Sequence, residues 1–192
     1  MPQTRLVVLP LPNLGFTMTV IAATIQRMTP ALLFRYRVSL ALFLAGLVFS
    51  GLTAFPLLVE IRILSGWLGI TDPANYQELT GLAHWIAYVN FGLEQTYEKF
   101  PFIGYGTDWL AFGHLASAAF FIRPLWSPLD SDWVLKTGLC ICAAVIPVAF
   151  IAGHIRGIPV YWSMVDSAFG IFGSIPLIYC LHLTRQSRAL AE

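Results

Sequence analysis

Charge is scarce in this chain. Asp, Glu, Lys and Arg together make up 11% of it, against about 25% in soluble domains. A surface that poor in charge does not keep a soluble globule in water. Apolar residues reach 57%, above the usual share of about 45–50%, and the mean hydropathy is +0.72. One domain of 192 residues leaves too much of itself wet to hide that much apolar surface. Soluble enzymes, nucleic-acid binders and disordered chains are therefore excluded. The net charge of +1 supplies no field to attract an acidic or basic partner. What is left is an integral membrane protein, with the lipid bilayer as its first partner.

Cysteine is also scarce. Cys140, Cys142 and Cys180 all fall in apolar stretches and make no disulfide framework. Cys140 and Cys142 would point about 200° apart on a helix, so they do not share a metal. Catalytic signatures are missing as well. There is no H-E-x-x-H, no G-x-S-x-G and no P-loop, which leans the chain away from the enzymes that carry them. No internal repeat is visible, which weakens a transporter reading.

Four stretches are long enough to cross a bilayer, or can be extended to be. They run over about 38–59, 104–124, 134–155 and 158–184. The second is the weakest, with only Trp109–Ile122 free of charge. With four spans, one side holds Arg5, Arg27, Arg35, Arg37, Arg123, Lys136, Arg185 and Arg188, and the other holds Arg62, Lys99 and Arg156. Eight basic residues against three place both termini in the cytoplasm under the positive-inside rule. Trp67, Tyr105, Trp109, Trp126, Trp133, Tyr161 and Trp162 fall where interfacial aromatic belts belong. The expected fold is all-α: a four-helix, N-in/C-in membrane domain over 35–192.

Between the first two spans lies a long outer loop. Thr71-Asp72-Pro73 is a helix start, with Asp72 as cap and Pro73 at the first helical position. Leu79, Leu82, Ile86, Val89, Leu93 and Tyr97 follow at helical spacing, and Pro101 ends the pattern. An amphipathic helix over about 72–99, lying on the outer surface, is expected. Residues 1–34 form an N-terminal cytoplasmic segment expected to be poorly ordered, broken by Pro10 and Pro12. Met28 offers a later start.

Ionisable groups at membrane depth are functional candidates by default. His114 lies about 9 Å below Asp108 along its span, and Asp166 about 12 Å below Ile158. An Asp–His pair between the second and fourth spans is expected to form a polar outer-leaflet site. His154, Arg156, Glu60, His84 and Glu94 stand as supporting residues on the same side. The same pair as a plain interhelical hydrogen bond would be worth only about 0.6 kcal/mol.

His114 and His154 are the only pair suited to a b-type haem, and His114, Asp166 and His154 make a mixed ligand set for zinc or copper without diagnostic spacing. His114 with Asp166 beside Ser163 or Ser167 would suit a small enzyme acting on a lipid or quinone. The leading expectation is a non-catalytic membrane component that works with other membrane proteins or with copies of itself.

Tyr105-Gly106-Thr107-Asp108-Trp109-Leu110-Ala111-Phe112-Gly113-His114, and Ile155-Arg156-Gly157-Ile158-Pro159-Val160-Tyr161-Trp162 running on to Asp166 and Phe169-Gly170, resemble segments of uncharacterised bacterial four-helix integral membrane proteins. The likeness covers roughly Arg35 to Thr184. It implies a bacterial inner membrane and attaches no activity, cofactor or substrate.

Overall fold

The computed structural model describes residues 28–190. The expectations for residues 1–27 lie outside that range. Every regular element among the described residues is helical.

The first helix, α1 (Pro30–Ala54), opens earlier than the run from Val38 suggests. Thr29 caps it by accepting from the Leu32 amide at 3.5 Å, and Pro30 stands where a missing N–H costs nothing. The helix also stops short of Val59. Pro56 lacks the N–H that would continue the ladder, and its ring collides with the preceding turn. The chain bends and resumes as α2 (Leu57–Trp67). Glu60 and Arg62 therefore stand on a separate short helix and do not close the first span.

The outer helix expected over 72–99 is two pieces. Asp72 caps as expected, accepting from the Ala74 amide at 3.0 Å. The turn it starts, Pro73–Glu78, is 3₁₀. Leu79 and Thr80 are extended, and Gly81 adopts φ +59°, which glycine tolerates best. Only then does α3 (Gly81–Lys99) run, to end just before Pro101. Its apolar stripe is buried at Ile86, but Leu82 is 46% exposed, and Ala87 and Asn90 are buried instead.

A second bend divides the expected span over 104–124 into α4 (Gly104–Phe120) and α5 (Ile122–Trp126). The ring of Pro124 would clash with the carbonyl of Phe120, four residues back, so the helix yields at Phe121. The two remaining helices, α6 (Asp132–Ile155) and α7 (Val160–Ala189), join through a tight turn with Gly157 at φ +68°. Among the described residues three helices are long and apolar enough to cross a membrane: α1, α6 and α7. At 17 residues, α4 alone falls short of the roughly 20 that a span needs.

Glycines set the packing. α6 and α7 lie side by side, with Gly170 against the Cys142 carbonyl and Gly153 against Ser163. A Cβ on Gly138 would stand 2.7 Å from Phe121 Cζ and 2.9 Å from Leu177 Cδ1, so α6 and α7 meet the end of α4 at that level. α1 packs on α7 and α4. Tyr36, Leu40, Phe121, Leu135, Leu177, Cys180 and Leu183 form the core, at the end where α1 begins and α7 finishes.

At the opposite end α3 works as a strut. It packs on α2 through Asn90 Nδ2 donating to Ser65 Oγ at 2.9 Å and an Arg62–Glu94 ion pair at 2.8 Å. Its start is tied to α7: Tyr161 donates to the Gly81 carbonyl at 3.3 Å, and Trp85 and Trp162 lie 6.3 Å apart. Its last turns are tied to α4: the Tyr97 and Thr107 hydroxyls are 3.3 Å apart. From Gly81 to Tyr97 the helix axis advances about 24 Å. α4 and α7 thus meet around Gly138 and are tied, toward their other ends, to opposite ends of α3.

Candidate functional site

His114 stands on α4 and Asp166 on α7. Ser39 donates to the Pro176 carbonyl at 3.2 Å, and Gly51 abuts His114. Counting from those contacts, Asp166 lies about 15 Å and His114 about 18 Å above Ser39. Yet no hydrogen bond or ion pair joins the two. The ion pairs among the described residues are Arg62–Glu94 and Arg188–Asp132. His114 rides on α4, which packs on α1, while Asp166 rides on α7, which packs on α6 and α1.

His114 instead serves its own helix. Its Nδ1–H donates to the Leu110 carbonyl at 2.9 Å. A carbonyl only accepts, so Nδ1 carries the proton, and in the neutral ring Nε2 holds a lone pair available to a proton or a ligand. Asp166 is half-buried on the second wall.

The supporting residues scatter. His84 Nδ1–H donates to the Tyr76 carbonyl at 2.7 Å, and its ring stacks on Tyr88 with centroids 6.3 Å apart. It pins the 3₁₀ turn to α3. Glu94 is held by Arg62, a pairing across α2 and α3 that the neighbouring Glu60 and Arg62 did not suggest. Glu60 is half-buried on α2, and His154 and Arg156 are exposed at the turn into α7. The helices of the two haem candidates pack on different neighbours, α4 on α1 and α6 on α7. Among the described residues no group of three or more His, Cys, Asp or Glu gathers as metal ligands.

A second polar cluster, missed in the sequence, lies at the other end. Arg188 donates to Asp132 Oδ2 at 2.6 Å and to the Leu129 carbonyl at 2.7 Å. Cys180 Sγ donates to the Tyr36 carbonyl at 3.6 Å, and the buried Thr184 hydroxyl donates to Leu181. Tyr36 Oη and Asp132 Oδ1 are buried without a hydrogen-bond partner among the described residues. The signal was present: Leu177, Cys180, Leu181, Thr184 and Arg188 follow at 3–4 spacing, one stripe of α7. Only the final basic residue made it look like solvated helix end.

Comparison of the chain with family models, with curated proteins and with solved structures finds no match.

Proposed function

We propose that the chain is a four-span protein of the bacterial inner membrane with both termini in the cytoplasm. In this reading α2 and α3 cap the outer side, and the chain serves as a non-catalytic component of a membrane assembly. The observation that carries the reading is the course of α4 and α5 along α1. Phe55 lines one pocket with Gly104, Tyr105 and Asp108. Gly51 meets His114, Phe43 meets Phe121 with centroids 4.8 Å apart, and Arg37 Nε donates to the Leu125 carbonyl at 3.1 Å. The bent α4–α5 pair thus accompanies α1 from Phe55 to Arg37, about 27 Å of axis, near the 30 Å or so of a hydrocarbon core. A segment that follows a spanning helix for that distance crosses with it.

The role as a component rests on surface. In the apolar windows of α1, α6 and α7 only 22%, 22% and 28% of residues are buried within the chain. The rest is left for lipid, a second copy or another membrane protein. The walls carrying His114 and Asp166 open toward the same outer half in this layout.

Reporter fusions test the layout. Fusions after Arg188 should read cytoplasmic and fusions at Asn75 periplasmic. A periplasmic reading after Arg188 would leave three spans and refute it. An absorption spectrum of the purified protein tests the function. A Soret band would replace the component reading with haem electron transfer on His114 and His154.

A further inference from the structure

At the corner where α3 meets α4, a cavity of about 400 Å³ is lined by Phe55, Tyr97, Pro101, Gly104, Tyr105, Thr107 and Asp108. Three of the lining residues are aromatic, drawn from α3, α4 and the end of α1. The corner is built rather than incidental. The Tyr97 ring comes within 3.2 Å of where a Cβ on Gly104 would lie, so a side chain at 104 would push the ring aside. Tyr97 Oη and Thr107 Oγ1 lie 3.3 Å apart, and Thr107 donates to the Gly104 carbonyl at 2.7 Å. Tyr105 is braced by Trp109, edge to face at 6.0 Å.

Asp108 brings the only formal charge to this lining, and it takes part in neither of the ion pairs among the described residues. Ring faces carry negative quadrupoles and attract cations, quaternary ammonium groups above all. A carboxylate beside them adds charge of the sign that an ammonium seeks and an anion avoids.

The geometry points to a binding site for an organic ammonium group, with Asp108 as counter-ion and Phe55, Tyr97 and Tyr105 as aromatic walls. The assignment does not depend on the number of spans, because the corner is defined by α1, α3 and α4 alone. Two sources share this chemistry: a free small ammonium compound and the headgroup of an ethanolamine or choline lipid.

The test uses the full chain in a non-ionic, ammonium-free detergent. Tetramethylammonium and choline are titrated by ligand-observed NMR. Phosphatidylethanolamine and phosphatidylglycerol, as the lipid arm, are compared by native mass spectrometry. Saturable binding in either arm is expected to weaken tenfold or more in Asp108→Asn and in Tyr105→Ala. Asp108→Glu should keep most of it, as should Asp130→Asn far from the corner. Circular dichroism melts of each variant separate lost binding from lost fold. Binding of the soluble ions marks a free ligand, and selective retention of the ethanolamine lipid alone marks a headgroup. No saturable binding in either arm, or binding that Asp108→Asn leaves unchanged, overturns the assignment.

Discussion

Two glycines of this bundle should respond in opposite ways to the same methyl group. At Gly170 an added Cβ meets the carbonyl of Cys142, a backbone atom that cannot swing aside. Gly170→Ala must push α6 and α7 apart along their closest seam, and overpacking of this kind costs about 1–3 kcal/mol. At Gly113 nothing lies within 4 Å of the built Cβ. Gly113→Ala should hold or gain up to about 1 kcal/mol, because alanine is the better helix former. Thermal unfolding in micelles separates the two, and a Gly170→Ala protein melting with the parent would show that the seam can relax.

The buried hydroxyl of Tyr36 gives a second measurement. Its Oη has no hydrogen-bond partner among the described residues although the side chain is wholly buried. An unsatisfied buried group costs about 1–3 kcal/mol. Tyr36→Phe should therefore leave the melting temperature unchanged or raise it. A clear loss of stability would mean that the hydroxyl has a hydrogen-bond partner in the folded protein.

How much of each helix could be read in advance depended on how local its causes were. The cap at Asp72, the stop before Pro101 and the runs that became α6 and α7 follow from neighbours within a turn or two. The early end of α1 was equally local, but Pro56 was hidden inside an unbroken apolar run. The split of the helix expected over 72–99 was marked by Gly81 and overlooked because the apolar period continues through it. What no spacing rule reaches is contact between distant residues. The Arg62–Glu94 pair joins positions 32 apart, and Arg188 and Asp132 are 56 apart. For His114 and Asp166 the depth along each helix was legible from the rise per residue. Their failure to meet was not, since the angle between α4 and α7 depends on contacts between residues far apart in the chain.

That angle is itself measurable. With Cys140, the exposed cysteine, replaced by alanine, spin labels placed by Gly106→Cys and Met164→Cys report the α3 end. Labels placed by Phe120→Cys and Ile178→Cys report the converging end. The first pair should be farther apart than the second by about 10 Å or more, given the 24 Å or so of α3 between its ties. Equal distances by double electron–electron resonance would mean a closed bundle, in which His114 and Asp166 have room to meet.

The tie from Tyr161 to Gly81 joins residues 80 apart, and it has a consequence in time. A ribosome adds about 5–20 residues each second, so roughly 4–16 s pass between the synthesis of one partner and the other. Through that interval α3 is moored by α2, and soon by Thr107, while its leading end stays loose. The extended Leu79-Thr80 link just ahead of Gly81 is then open to membrane proteases. A nascent chain that stalls before Val160 never completes the mooring. Pulse-labelled chains truncated at Gly157 should be clipped near residue 80, whereas completed chains should resist.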